Sequence, residues 1–237
     1  MEGDFLVVDY KMSIEKAIKL SMSRSLEKLY DHITVTKNNK YYGIVTVKDL
    51  IEKSMEIEVG NAMHLNPLTG LPGNILIEQY IEKCITLNSA YSILYFDLDN
   101  FKAYNDIYGF ESGDMVIKSL SKIIIKCLPK GSFLGHIGGD DFIAIIYSHY
   151  PEDVCKEIIN EFNSFAPSCY NDDDKSRGYI IAQNRNGVEE KFPLLSVSIA
   201  GLTNKDKIFV TVHDVSRKSS KIKCKSKAIS GSSYVIV

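Results

Sequence analysis

The sequence predicts a two-part α/β protein, and three observations lead to this fold class. Segments with apolar residues three and four positions apart alternate with short apolar runs, the pattern of helices alternating with strands. A first set of short elements ends near residue 55, and a second, longer set begins near residue 66. The chain has 237 residues, 45% of them apolar, which allows one or two domains with their own cores.

Charge and cysteine content narrow the class of protein. The net charge of −2 gives no sign of a nucleic-acid or membrane surface. No apolar run approaches the roughly 20 residues of a membrane span, and the N-terminus lacks the pattern of a signal peptide. The five cysteines lie far apart without metal-ligand spacing, so we expect reduced, mostly buried thiols in a cytoplasmic protein.

The first part is predicted to run strand, helix, strand, strand, helix. Ser13 is placed as the N-cap of the first helix, and a hairpin turn at 37–40 joins the second and third strands. Thr46 and Asp49 lie three residues apart, as in a capping arrangement at the start of the last helix. The predicted elements are residues 5–8, 13–22, 32–36, 42–47 and 49–55.

The second part alternates helices and strands over a longer stretch. Residues 171–175 are interpreted as a polar loop. Calcium binding there is the less favoured alternative to a solvated loop tip, because the glycine and glutamate spacing of an EF-hand is missing. An Asn-Gly turn at 184–187 predicts a hairpin. The predicted helices are 73–87, 101–108, 112–128, 152–165 and 214–223, and the predicted strands are 91–97, 132–137, 142–147, 178–182, 190–192, 196–200 and 234–237.

Two acidic clusters follow or precede predicted strands. One is Asp97-Leu98-Asp99, and the other is Gly138-Gly139-Asp140-Asp141. Carboxylates can hold Mg²⁺, and glycines let the backbone come close to phosphate oxygens. If the two strand ends lie side by side, they form a divalent-metal site of the kind used in nucleotidyl transfer. The alternative for each cluster is a hairpin turn with solvated acids.

Three motifs in register resemble the GGDEF family of diguanylate cyclases. They are NPLTGLPGN from Asn66, FDLDNFKAYNDIYGFESGD from Phe96, and HIGGDDF from His136. The resemblance covers about residues 64–237 and implies a nucleotide-cyclase-like domain at 66–237, with a mainly antiparallel sheet flanked by helices. Residues 56–65 are then expected to be a helical linker.

The resemblance implies a reaction and a set of ligands. Each domain would bind one GTP, and two domains would meet as a homodimer to make cyclic di-GMP and pyrophosphate. By position, Asp97, Asp140 and the carbonyl of Leu98 would hold Mg²⁺ or Mn²⁺. Asp140 and Asp141 would be the catalytic acids, and Asp141 would hold the metal or deprotonate the attacking hydroxyl.

The same carry-over implies the substrate contacts. Asn105 and Asp114 would read the guanine edge. Lys102 would lie beside the phosphates, although a solvated helix lysine is the alternative. Gly138 and Gly139 would form the phosphate turn. Lys227 is the best match to a phosphate-binding lysine near the C-terminus, within a lysine-rich stretch that leaves the register open.

Four departures from the family pattern bear on activity. Asn66 stands in place of aspartate, and His136 stands in place of an arginine, so it could donate to a phosphate or be an ordinary strand-end histidine. Asp141 replaces glutamate, which retracts the carboxylate by about 1.5 Å; misplacement of about 1 Å can cost ~100-fold in rate. The product-inhibition motif RxxD falls on Pro129-Lys130-Gly131-Ser132 and is missing.

Residues 1–55 resemble one CBS unit, a small α/β module that usually occurs in pairs and often binds adenine nucleotides. The resemblance implies that Thr46 and Asp49 contact ribose, while the alternative is that they only cap a helix. A single unit offers half of the usual cleft, so a nucleotide would need a second copy from a partner subunit or from sequence upstream.

Two functions therefore remain open at this stage. The first is a diguanylate cyclase. The second is a GTP-binding regulatory domain without turnover that controls a partner, such as a cyclic di-GMP phosphodiesterase domain upstream in a longer chain.

Overall fold

The structure is a computed structural model and describes residues 5–87, 89–183, 187–206 and 208–237. The chain divides into two compact units, residues 1–63 and 64–237.

The N-terminal unit is a three-stranded sheet with two helices. Its elements are β1 (Val7–Asp9), α1 (Ile14–Met22), β2 (Ile33–Lys37), β3 (Lys40–Val45) and α2 (Val47–Met63). The sheet order is β1-β2-β3, with β1 parallel and β3 antiparallel to β2. The predicted hairpin is confirmed: Asn38 and Asn39 both have positive φ, as a two-residue turn between right-twisted strands requires.

The second unit is built on a five-stranded sheet. Its elements are α3 (Asn74–Leu87), β4 (Ser92–Asp99), α4 (Phe101–Tyr108), α5 (Phe110–Cys127), β5 (Phe133–Gly138), β6 (Asp141–Ile146), α6 (Glu152–Phe165), α7 (Asp172–Arg177), β7 (Tyr179–Gln183), β8 (Glu189–Pro193), β9 (Ser196–Thr203), α8 (Val212–Lys227) and β10 (Ser233–Ile236). The sheet order is β10-β9-β4-β6-β5, and only the β10–β9 pair is parallel. The predicted mainly antiparallel α/β fold is confirmed.

Helices cover both faces of this sheet. Phe96 and Phe142 belong to the core on one face, together with residues of α4, α5 and α6. Ile93 and Ile145 belong to the core on the other face, with residues of α3 and α8. Since β4 is central and buried on both sides, its sequence is a continuous apolar run up to its acidic end. That end is where polar side chains first reach solvent.

Two local predictions for this unit are wrong. Residues 171–175 are not a loop, because α7 begins there: the side chain of Asn171 accepts a hydrogen bond from the backbone N–H of Asp174 at 2.8 Å. Asp174 also accepts a hydrogen bond from the hydroxyl of Tyr108 and forms an ion pair with Arg177. The acidic segment is therefore in contact with α4 and is not a solvated loop. Helix α8 extends one turn beyond the predicted end, to Lys227.

The other hairpin prediction falls partly outside the described residues. β7 and β8 pair antiparallel, as expected. Residues 184–186 of the predicted Asn-Gly turn are not among those that the structure describes.

Candidate functional site

The two acidic strand ends lie side by side, as the sequence predicts. The paired residues of β4 and β6 end at Phe96 opposite Phe142, so Asp97 and Asp141 follow on neighbouring strands. Side chains alternate along a strand, which places both acids on the α8 face of the sheet. Gly138 pairs with Asp141 and closes the β5–β6 hairpin.

The glycine turn of this hairpin leaves open space above it. Gly139 has a φ of +58°, a left-handed conformation that glycine adopts without strain. A Cβ added to Gly138 or Gly139 would meet no atom within 4 Å. The two glycines are therefore required by backbone conformation, and the space that they border is available to a ligand.

Two lysines of α8 neutralise the acids. Lys227 Nζ lies 2.6 Å from Asp97 Oδ1, and Lys223 Nζ lies 3.6 Å from Asp97 Oδ2. Lys223 also forms an ion pair with Asp141. Burial disfavours the charged form of Lys227, but its pairing with Asp97 outweighs this and raises its pKa. The lysines are four residues apart, one helical turn, and so reach the same strand ends.

The buried acids favour a cation. Burial raises the pKa of Asp97, which is only 7% exposed, and burial together with the charge of Asp97 raises the pKa of Asp140. Within the described part of the chain, no three His, Cys, Asp or Glu side chains group as a metal site. Two hard carboxylates that need backbone, phosphate or water oxygens to complete the ligand set suit Mg²⁺, which retains waters.

Asp99, the second acid of β4, is held within the protein. Ser196 Oγ donates to its Oδ2 at 2.8 Å, and Ser198 Oγ donates to its Oδ1 at 3.0 Å. Burial raises the pKa of Asp99. These two hydroxyls fix the end of β4 against β9 and orient the strand that carries Asp97.

A cavity of about 680 Å³ opens at the end of β4. It brings together seven of the residues that the sequence predicts for the site: Asp97, Leu98, Lys102, Asn105, Gly139, Asp140 and Lys227. Lys102 lies exposed at its wall. Gly138, Asp114 and Asp141 do not line it.

Asn105 supplies a polar atom that lacks a partner. Its Oδ1 is buried without a hydrogen bond, and its side chain packs so closely on Gly113 that a Cβ there would lie 1.9 Å from this oxygen. A buried acceptor left unpaired costs ~1–3 kcal/mol, which a ligand donor would recover. Asp114 follows Gly113 and is exposed, so its contact with guanine stays a prediction.

His136 is buried, which favours the alternative of an ordinary strand-end histidine over that of a phosphate donor. It is only 2% exposed, and its ring stacks on Phe142 with centroids 4.3 Å apart. Its Nε2 lies 2.9 Å from the carbonyl oxygen of Gly139, and its Nδ1 lies 3.0 Å from Thr69 Oγ1. Both ring nitrogens are used inside the protein.

Asn66 also acts within the protein. Its Oδ1 accepts from the backbone N–H groups of Leu68 at 2.9 Å and Thr69 at 3.2 Å. A neutral amide oxygen performs this turn-closing role without a carboxylate. The departures at Asn66 and His136 are thus connected through Thr69, whose Oγ1 lies 3.4 Å from Asn66 Oδ1 and 3.0 Å from His136 Nδ1.

Several residues of the site escaped sequence reasoning. Lys223 could have been found, because it ends the predicted helix 214–223 and lies four residues before Lys227. Phe110, Gln183 and Phe192 also line the cavity, and Phe110 is 79% exposed. Gln183 and Phe192 come from the β7–β8 hairpin, and no local pattern connects that hairpin with the acidic motifs.

In the N-terminal unit, Thr46 and Asp49 bond to each other. Thr46 Oγ1 accepts from the backbone N–H of Asp49 at 3.0 Å and donates to Asp49 Oδ2 at 2.7 Å, while the N–H of Thr46 donates to the same carboxylate. These bonds lower the pKa of Asp49. The pair caps the start of α2, and its contact with a ribose stays a prediction.

All five cysteines are free thiols, and three of them are buried. Among the helices of the described ranges, none combines the length and the apolar character needed to cross a bilayer.

Both units contain a segment that matches a protein-family model. Residues 63–174 match the family described as "Diguanylate cyclase, GGDEF domain", and residues 1–56 match the CBS domain family.

Curated relatives match over part of their length. A cyclic di-GMP phosphodiesterase of Escherichia coli K12, PdeR, is 36% identical over 80 residues, 33% of this chain and 12% of the relative. The bifunctional diguanylate cyclase/phosphodiesterase MucR of Pseudomonas aeruginosa is 34% identical over 96 residues, 39% of this chain and 14% of the relative. Diguanylate cyclase DgcM of E. coli K12 is 30% identical over 105 residues, 42% of this chain and 26% of the relative. The matches thus span between 12% and 26% of the length of these relatives.

Solved GGDEF domains share the fold. The GGDEF domain of PA1120 from P. aeruginosa aligns with a TM-score of 0.54 at 17% identity, covering 73% of this chain and 94% of that one. The GGDEF domain of DgcB from Caulobacter crescentus, solved with c-di-GMP, aligns with a TM-score of 0.52 at 18% identity. The alignment covers 73% of this chain and 95% of that one.

Proposed function

The chain carries a CBS domain followed by a GGDEF domain, and we propose that residues 66–237 bind GTP and act as a diguanylate cyclase. The observation that carries the proposal is the cavity at the end of β4. It joins buried acids and a lysine, which suit a metal-bound triphosphate, to the unpaired acceptor of Asn105, which suits a base with N–H donors.

Different side chains would bind the metal, the phosphates and the base. Asp97, Asp140 and the Leu98 carbonyl would hold Mg²⁺ or Mn²⁺, which neutralises phosphate charge when bound. Lys223 and Lys227 then no longer need to neutralise the acids and can pair with phosphate oxygens. Asn105, with Asp114, would fix the base, and Lys102 lies at the wall where it can meet phosphate.

The reaction would need two copies of the domain. The ribose 3′ oxygen of one GTP forms a bond to the α-phosphorus of the other, and the bond from that phosphorus to pyrophosphate breaks. Asp141 would accept the proton of the attacking hydroxyl. Two such events give cyclic di-GMP and two pyrophosphates, so a homodimer is part of the proposal.

One observation favours a second candidate, a GTP-binding regulatory domain with little or no turnover. The carboxylate of Asp141 is one methylene shorter than glutamate and is paired with Lys223. A base held by an ammonium group and retracted by about 1.5 Å is poorly placed to take a proton. Such a domain would control a partner, such as an upstream phosphodiesterase domain.

Incubation with GTP and Mg²⁺, followed by chromatography, separates the two candidates. The cyclase proposal expects cyclic di-GMP and pyrophosphate in the parent protein. Binding of GTP without product, in a protein preparation that contains dimers, would support the regulatory alternative. The absence of both GTP binding and product would contradict both candidates.

Two further predictions accompany the proposal. An adenine nucleotide at Thr46 and Asp49 would require breaking or sharing their mutual hydrogen bonds, together with a second CBS copy. A cytoplasmic location, where GTP is abundant, is the compartment that the proposed reaction needs.

A further inference from the structure

His136 connects two segments that are far apart in sequence. On one side its ring meets Thr69 of the 64–73 loop, by which the chain runs into the second unit. On the other side it meets the carbonyl of Gly139, next to Asp140. The ring is fixed between these contacts by its stacking on Phe142.

Hydrogen-bond chemistry assigns the tautomer of this ring. A carbonyl oxygen can only accept, so the Nε2 of His136 must carry a hydrogen and donate it to Gly139. In the neutral ring Nδ1 is then an acceptor, and the hydroxyl of Thr69 donates to it. Burial lowers the pKa of His136, which agrees with the neutral form.

The 64–73 loop is itself anchored at both ends. The N–H of Gly73 donates to the carbonyl of His64 at 2.7 Å, and Leu65 bridges to Pro72. The backbone N–H of His136 donates to the carbonyl of Pro72 at 2.8 Å. The loop is therefore a fixed support from which Thr69 orients the imidazole.

We propose that His136 is a positioning residue: the chain Thr69–His136–Gly139, named here the imidazole relay, holds the glycine turn in the orientation that directs Asp140 into the cavity. The turn needs such a support, because two consecutive glycines have the widest backbone freedom. A neutral relay does this without the desolvation penalty of a buried ion pair. Its expected effect on GTP binding rests on the proposed function; its effect on the turn does not.

A matched pair of substitutions tests the relay. In His136→Gln the amide nitrogen can reach the place of Nε2, and in His136→Asn it reaches only the place of Nδ1. Both variants carry the same neutral amide. We expect His136→Gln to keep the affinity for GTP·Mg²⁺ within about 3-fold, and His136→Asn to lose at least 10-fold, about 1.4 kcal/mol. Equal loss in both variants would overturn the role of the Gly139 contact.

Two measurements test the relay without any nucleotide. Nitrogen-15 spectra of the ring, assigned by comparison with His136→Gln, should show hydrogen on Nε2 and none on Nδ1. Hydrogen exchange in the 138–141 turn should be at least 10-fold faster in His136→Asn than in the parent, and faster also in Thr69→Val, which removes only the hydroxyl. A ring protonated on Nδ1, or unchanged exchange in both variants, would refute the relay. If neither the parent nor any variant binds GTP, while the ring tautomer and the exchange rates are as expected, the proposed function fails and the relay stands.

Discussion

Replacing Asp97 by asparagine should separate ligand binding from stability. The substitution keeps the shape of the side chain and removes its charge. In the structure this carboxylate has the ammonium groups of Lys227 and Lys223 at 2.6 and 3.6 Å, and it is the most buried acid at the cavity. We expect metal-dependent GTP binding to weaken strongly and folding to change little.

The magnitude follows from electrostatics. Two unit charges about 4 Å apart interact by about 4 kcal/mol at an effective dielectric constant of 20, and part of this is lost to solvation. A net loss of about 2.7 kcal/mol corresponds to about 100-fold weaker binding of GTP·Mg²⁺.

The stability of the metal-free protein should show a different pattern. Burial raises the pKa of Asp97, so its charge is unfavourable in the folded state. Asparagine removes this cost and leaves Lys227, whose side chain is 47% exposed, unpaired. We therefore expect the free energy of unfolding at pH 7 to change by less than about 1 kcal/mol. As the pH falls from 7 towards the unfolded pKa near 3.9, the parent should gain stability relative to the variant.

Calorimetry with GTP and Mg²⁺, and chemical denaturation without metal between pH 4 and 7, measure the two effects. Lys122→Gln, which removes an exposed cation of α5 outside the cavity, is the control for general electrostatic change. Unchanged binding by the Asp97→Asn variant would mean that Asp97 is only a structural end of β4. A loss of more than 3 kcal/mol of stability would also refute the reasoning, because it would make the ion pair a main support of the fold.

Three other predictions follow from the site. Asp141→Glu should raise cyclic di-GMP synthesis by about 10-fold, which corresponds to about 1.4 kcal/mol of barrier, and leave GTP affinity nearly unchanged. Product formation and calorimetry measure the two effects; no gain in product would argue that the length of this acidic side chain does not limit the reaction. Gly113→Ala should weaken GTP binding at least 10-fold without unfolding the domain, because its Cβ displaces Asn105; unchanged affinity would exclude Asn105 from the base site. Cyclic di-GMP should not bind at the turn of residues 129–132, which lacks arginine for bidentate recognition; micromolar binding there in a co-crystal would contradict this.

The fold was largely predictable because its elements carry strong local signals. The bounds of α4 and α6 agree with the apolar spacing, and β4 is a continuous buried run. The acidic end of that run was visible in sequence as a break from apolar to polar residues. One exception is α7, which was predicted as a polar loop. The cap by Asn171 and the contacts of Asp174 with Tyr108 and Arg177 stabilise a helix there. Such long-range contacts have no local signature.

The site was predictable where the motif and the strand end coincide, and less so elsewhere. Asp97, Asp140 and Asn105 were placed by position and do line the cavity. The roles of His136 and Asn66 could not be predicted in this way. Thr69, the partner of the imidazole, is 67 residues away in sequence, and only the fold brings it close. The predicted helix ended at residue 223, whereas α8 continues to Lys227 and so places Lys227 one turn after Lys223.

The preference for guanine over adenine tests the central claim most directly. Titration of the parent protein with GTP and with ATP, each with Mg²⁺, in a calorimeter measures it without depending on turnover. GTP should bind at least 10-fold more tightly, since Asn105 and Asp114 would face no matching donors on adenine and an unpaired buried polar group costs ~1–3 kcal/mol. Equal affinities for GTP and ATP, or no binding of either, would contradict the account.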